Sequence, residues 1–183
     1  MIGIINIQNR KYTNAVVKIL NQYGIDKEVI INDYRNIGKC FDGDLVELDE
    51  NTSSIKNIIK SNIKSKKIAG ILKIKSKYKY GYNKRGVEIF KFIPFDKSLP
   101  IFNVASKVKK KLIKNNKPII DQYCTVKYLR WDDNTPQGEI INIIGSIDNI
   151  DNKYQILLHK HNLYKSKPKF KLEKNFNNDL FIE

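Results

Sequence analysis

Short alternating runs constrain this chain most. "IGIINIQ", "NAVVKIL", "KEVIIN", "GDLVEL", "IAGILKIK", "VEIFKFI", "LPIFNV", "QYCTVKYLRW", "GEIINIIGSI" and "KYQILLHK" are each rich in Ile, Val, Tyr or Phe, and Gly, Asn, Asp or Pro bound them. Segments of this length and pattern read as strands of an all-β fold. They follow one another too closely for the crossover helices of a parallel sheet.

Two stretches depart from the alternation. "SSIKNIIKSNIKSKK" places Ile55, Ile58, Ile59 and Ile63 at helical spacing with lysines opposite, and reads as a short helix. "ASKVKKKLIKNNK" is basic and amphipathic, and its sequence leaves helix and basic loop both open. Pro94 and Pro100 bracket "FIPFDKSLP", and neither suits a central strand. About five strands precede this turn and four or five follow. That count fits two tandem five-stranded Greek-key barrels of the OB type, with one or two short helices. The expected divisions are a first domain over 1–95 with an insertion at about 50–67, a second over 96–165, and a basic, then polar, tail over 166–183.

Charge narrows the function classes. Lys and Arg number 34 against 19 Asp and Glu, a net charge of +15. Such an excess favours polyanions, nucleic acid first. Heavy use of Ile, Lys and Asn also fits an AT-rich genome, so no single lysine carries weight alone. Cys40 and Cys124 have no CxxC partners and read as small buried hydrophobes of a reducing intracellular compartment. The opening "MIGIINIQNR" is not a signal peptide, and no apolar run is long enough to span a membrane.

Catalytic and metal-binding patterns are missing. Asp132-Asp133 is a doublet in a polar turn, whereas two-metal phosphoryl chemistry needs several convergent carboxylates. His159 and His161 form an H-x-H on an expected strand without a third ligand. There is no phosphate-binding glycine loop, serine nucleophile motif or HExxH helix. No catalytic residue, metal ligand or cofactor is expected.

The segment "LKIKSKYKYGYNKR" interleaves Lys73, Lys75, Lys77 and Lys79 with Tyr78, Tyr80 and Tyr82, and ends at Arg85. Extended backbone would place lysines on one side and tyrosines on the other. Single-stranded nucleic acid needs both, aromatic faces for bases and cations for phosphates. The rings share parity with Ile68, Leu72 and Ile74, so they could instead continue a core face unless a turn near Ser76 resets the alternation.

Four segments in order carry a family resemblance. "VKYLRWDDNTPQGEIINIIG", through Val126, Trp131, Pro136, Gly138 and Gly145, resembles the second cold-shock domain of the ribonuclease II/ribonuclease R (RNB) family, which includes the exosome's catalytic subunit. Thr135 departs from the aromatic common there. "IGKCFDGDLVEL" (Gly43, Asp44, Val46, Glu47) and "KIAGILKI" (Gly70) resemble parts of that family's first cold-shock domain. "FIPFDKSLPIF" (Pro94, Asp96, Lys97, Pro100) resembles the connector between the two. The resemblance covers about residues 1–165. It implies binding of single-stranded RNA, with single-stranded DNA as a lesser option. The large nuclease domain that follows in the family would begin about where this sequence ends.

The same resemblance suggests Arg10, Lys11 and Tyr12 as a basic-aromatic contact. Trp131 could be packed against the second barrel or exposed; if it is packed, Arg130 beside it and Lys127 earlier on the strand flank the opposite face and are candidate RNA contacts. Three alternatives stay open. The chain could be a protein-interaction adaptor or decoy docking on an exosome-like RNA-degradation complex, the RNA-binding subunit of a split RNB nuclease, or a degraded paralogue without binding function.

Overall fold

Register explains the architecture better than spacing does. A computed structural model describes residues 1–163 except Tyr23 and Glu50. The strands β1 (Ile2–Ile7), β2 (Ala15–Asn21), β3 (Gly24–Ile31), β4 (Leu45–Leu48) and β5 (Ile55–Lys60) form one antiparallel sheet, ordered β3-β2-β1-β4-β5. A one-turn helix α1 (Tyr34–Ile37) precedes β4. The strands β6 (Ile68–Lys73), β7 (Ile89–Pro94), β8 (Phe102–Ala105), β9 (Gln122–Arg130) and β10 (Gln137–Ser146) close into a barrel, ordered β10-β8-β7-β6-β9. Helix α2 (Val108–Lys114) joins its third and fourth strands, and helix α3 (Ile150–Lys160) follows its last.

The two halves repeat one plan. Each runs third-second-first-fourth-fifth, with a helix between the third and fourth strands. In the second half the parallel pair β8–β10 completes the circle, the closure of a five-stranded OB barrel. In the first, no β3–β5 pairing exists among the described residues, so that sheet stays open. Tight curvature of the barrel depends on missing side chains. A Cβ on Gly138 would overlap the Val126 side chain, and one on Gly70 would overlap the Phe92 ring.

Three expectations need correction. The sheets do not divide at Pro94–Pro100. Both β6 and β7 pair within the second barrel, so the division lies between Lys60 and Ile68. Pro94 instead ends β7, a position where a missing N–H is tolerated. The Ile55–Ile63 stretch is not a helix but contains β5. Its pairs Val46↔Ile58 and Leu48↔Ile55 straddle a register shift, and such a bulge breaks two-residue periodicity and imitates helical spacing. "KYQILLHK" is not a strand but lies in α3. The Asn149 carboxamide oxygen caps that helix by accepting from the N–H groups of Asp151 (2.7 Å) and Asn152 (3.3 Å). Buried Ile156 anchors it beside Ala69 and Tyr123. The tail expected from Ser166 lies outside the described residues.

The halves are joined by apolar packing. Phe41, from the turn between α1 and β4, is 2% exposed and belongs to the second barrel's core, as does Ile63. Buried Asp44 fixes this plug, accepting from the N–H of Phe41 (2.8 Å) and the N–H of Asn62 (2.7 Å). Trp131 packs against the cores of both halves. Its ring lies 5.0 Å from Phe41 and 5.7 Å, edge-on, from Tyr12.

Candidate nucleic-acid interface

Alternation along the barrel strands sorts side chains cleanly. Leu72 and Ile74, Phe90 and Phe92, Phe102 and Val104 point into the core. The residues between them, Lys73, Lys91 and Asn103, must therefore point outward. Register aligns these with two more: Lys73 opposes Lys91, Lys91 opposes Asn103, Asn103 opposes Gln137, and Gln137 opposes Arg130. One transverse row thus holds three cations and two carboxamides around the outside of the barrel.

Within that row the cations differ. Lys73 forms an ion pair with the nearly buried Asp121. Arg130 pairs with Asp132 at 2.9 Å and donates from Nε to Gln137 Oε1 at 3.2 Å. Lys91 has no carboxylate partner among the described residues. Its Nζ donates to Asn103 Oδ1 at 2.8 Å and sits 5.0 Å from the centre of the Tyr80 ring. Desolvation by its neighbours pulls its pKa below the ordinary lysine value. The barrel therefore holds a partly desolvated positive charge in the middle of the β7–β8 face without a counter-ion.

The lysine-tyrosine segment forms the β6–β7 connection, over 74–88. It leaves the sheet after Lys73, because Asp121 accepts from the N–H of Lys75 at 2.9 Å and turns the chain outward. The Ser76 hydroxyl then accepts from the N–H of Tyr78 (3.1 Å). Asn83 closes the tip, accepting from the N–H groups of Arg85 (3.0 Å) and Val87 (2.9 Å). Strand parity does not extend past Ile74, so the tyrosines do not continue the core. Tyr78, Tyr80 and Tyr82 are 79%, 37% and 59% exposed. Lys75, Lys77, Lys79 and Arg85 are exposed around them. A cleft of about 540 Å³ lies between Lys73, Lys75, Ser76, Lys77, Tyr78 and Asp121. The opposite flank of the β7–β8 face is the turn from Trp131 to Pro136, which joins β9 to β10. OB barrels bind oligonucleotides with their second and third strands and these same two connections.

Other expected contacts lie elsewhere. Arg10 donates to three carbonyls of the segment that links β7 to β8: Pro94 (2.5 Å), Leu99 (3.2 Å) and Asp96 (3.2 Å). Tyr12 is buried under Trp131, and burial raises its phenol pKa strongly. Both are committed to the contact between the halves, which leaves Lys11 as the exposed member of that trio. Lys127 is exposed but pairs with Glu139 at 2.8 Å on the barrel's outer surface. Trp131 is packed rather than presented. His159 lies in the last turn of α3 and His161 caps it. Among the described residues no group of three or more His, Cys, Asp and Glu could hold a metal ion, and no helix is long and apolar enough to cross a membrane. Sequence reasoning missed Lys91, Asn103 and Gln137, which lie in unremarkable strands and gain meaning only from register.

Comparisons with known proteins agree with this geometry. Residues 89–162, from β7 through α3, match the family model of the Dis3-like cold-shock domain 2. The fold is similar to that of yeast Ssd1, described as a pseudonuclease, with a TM-score of 0.64 and 15% identity over 88% of this chain and 25% of that one. It is also similar to Mycoplasma genitalium ribonuclease R. The apo form gives a TM-score of 0.51 and 15% identity over 86% of this chain and 23% of that one. The complex with ribose-methylated single-stranded RNA gives 0.53 and 14% over 88% and 24%. The chain thus spans about a quarter of the length of these solved structures. No curated protein matches it. Residues 89–162 are thus similar to the second cold-shock domain of Dis3-like proteins, and the fold as a whole is similar to that of the matching stretches of Ssd1 and ribonuclease R.

Proposed function

We propose that this protein binds single-stranded RNA across the β7–β8 face of its second barrel, between the 74–88 and 131–136 connections. Lys91 carries the reading. A desolvated cation without a counter-ion, set beside an exposed aromatic ring, matches a phosphate next to a stacked base. Ribonuclease R of similar fold has been solved with single-stranded RNA, which supports the same ligand class here. On this reading the segment holds and guides RNA, and any cleavage belongs to a nuclease domain outside the residues described. Outward-facing Ile2, Ile4 and Ile30 on the first sheet favour a second reading, docking of a protein partner.

RNA titration at several salt concentrations tests the first reading. Each phosphate neutralised on a single strand adds about −0.7 to the slope of log K against log salt. Engagement of Lys75, Lys77, Lys79, Arg85 and Lys91 with roughly three to five phosphates gives a slope of about −2 to −3.5. Lys91→Ala should flatten the slope by about 0.7, while Lys27→Ala, an equal charge change on β3, should leave it unchanged. Equal effects of the two, or equal binding of duplex and single strand, would leave only general basic attraction.

A further inference from the structure

A second basic concavity lies at the seam between the halves. A cleft of about 890 Å³ is walled by Lys66 and Lys67 before β6, by Phe95, Asp96 and Lys97 after β7, and by Lys160 in the last turn of α3. All four lysines are exposed, and Phe95 is half-buried. Lys66, Lys97 and Lys160 have no carboxylate partner among the described residues. Asp96 is the one acidic residue among the described residues of the wall, and its Oδ1 accepts from the N–H (2.9 Å) and the hydroxyl (2.7 Å) of Ser98. The partial negative charge at the C-terminal end of α3 amounts to about half an elementary charge, so the lysines dominate. His159 registers this field: its pKa lies below the ordinary histidine value, first through desolvation and then through Lys67. Arg10 steadies the wall by donating to the carbonyls of Asp96 and Leu99, both at 3.2 Å.

Strand register connects this cleft to the β7–β8 face. On the outside of the β6–β7 pair Lys73 opposes Lys91 and Ile71 opposes Ile93, and the Phe95 N–H donates to the Ala69 carbonyl at 3.0 Å. Lys91, Ile93 and Phe95 therefore follow one another along the outer side of β7. Phe95 lies about 13 Å from Lys91, four residues of extended chain. Half-buried Ile71 and Ile93 form an apolar saddle between the two basic regions.

We infer that the bound RNA strand continues from Lys91 along β7 into this cleft, where Lys66, Lys97 and Lys160 take phosphates and the Phe95 ring takes a base. The inference rests on the RNA reading above and extends it to a second contact region. A positively charged groove that tracks a backbone, with aromatic rings set along it, is how single strands are held without sequence preference. Tyr80 beside Lys91, and Phe95 on one wall with Lys97, repeat that pair at two points along β7. A strand that spans both gains from linkage, because its second contact forms at the effective concentration set by the first.

Fluorescence anisotropy at several salt concentrations, with oligouridines of about 6 and about 16 nucleotides, provides the test; both lengths lie within the range an OB fold spans. The shorter strand fits on the β7–β8 face alone. The longer one should give a slope steeper by about 1.4–2, for two to three further phosphates at about 0.7 each. The triple exchange Lys66→Ala, Lys97→Ala, Lys160→Ala should return the longer strand to the slope of the shorter one and leave the shorter one unchanged. An equal charge change on α2, Lys110→Ala, Lys111→Ala, Lys114→Ala, should alter neither. All six lysines are exposed, so both variants should fold, which far-UV circular dichroism checks. Single exchanges, at about 0.7 each, take the place of a triple that misfolds. Equal slopes for the two lengths in wild-type protein, or equal effects of the two triple variants, would overturn the inference and leave RNA binding at the β7–β8 face intact. Weakening of the shorter strand by the cleft variant would also overturn it, since the cleft would then be a site of its own. Failure to bind either length would remove the RNA reading and this inference with it.

Discussion

Phe41→Ala should separate the two halves of the molecule. Phe41 leaves the first sheet in the turn before β4 and completes the second barrel's core. Its ring stacks at 6.2 Å on Phe102, meets Tyr128 edge-on at 4.9 Å and lies 5.0 Å from Trp131. Truncating a buried Phe costs about 3–5 kcal/mol. Three aromatic pairs at about 0.5–1.5 kcal/mol each reach a similar figure independently. With a urea dependence near 2 kcal/mol per molar, the midpoint should fall by about 1.5–2.5 M. Trp131 is the chain's only tryptophan and touches both cores, so its fluorescence reports this junction directly. In wild-type protein, fluorescence and far-UV circular dichroism should lose their signals together, as one cooperative unit does. In the variant, fluorescence should change first, at lower urea. If the midpoint falls by less than about 0.5 M and the two signals still coincide, Phe41 is not the plug described here.

The remaining predictions concern the thiols and Arg10. Burial pushes both Cys40 and Cys124 up to about 12, so neither thiol should react with Ellman's reagent at pH 8 until denaturant is added, when both should. Rapid labelling of either one in native protein would contradict its burial. Arg10→Ala leaves three carbonyls without their donor and should cost about 1.5–3 kcal/mol in urea denaturation. The RNA salt slope should not move, and a change as large as that from Lys91→Ala would return Arg10 to the binding surface.

Strand identity was legible wherever alternation met a half-buried sheet. Nine of the ten runs singled out in the sequence do fall on strands, and the order of family motifs pointed to the OB plan. Three kinds of information were not legible. A bulge is a pairing event between strands, so the helical spacing of Ile55 and Ile58 could not reveal β5. A short apolar run such as Ile156–Leu158 suits strand or helix equally, although Asn149 carried a capping signal. The division between halves depended on which strands β6 and β7 chose as partners, and prolines mark strand ends without stating sheet membership. The candidate site follows the same logic. The 74–88 segment announced itself by composition. The row from Lys73 to Arg130 draws one residue from each of five strands separated by up to tens of positions, and only closure of the barrel assembles it.

The lock between the halves and the proposed RNA face share one strand end. At the close of β9, Arg130 turns outward to Gln137, while the next residue, Trp131, turns inward to Phe41 and Tyr12. Lys39, on the first half, holds the carbonyl of Asp132 in the same turn. The 131–136 connection is therefore pinned from below by an aromatic cluster and from the side by the first sheet. A connection held in this way loses little freedom when a strand of RNA lies against it, and preorganisation of that kind raises affinity without adding contacts. The 74–88 connection is held by Asp121 at its base, by the turn at Asn83, by the bridge between Tyr82 and Glu88 and by the Ile89 N–H, which donates to the Gly81 carbonyl at 3.0 Å. The first half, whose Arg10 and Tyr12 are committed to the contact between the halves, holds the 131–136 connection in place.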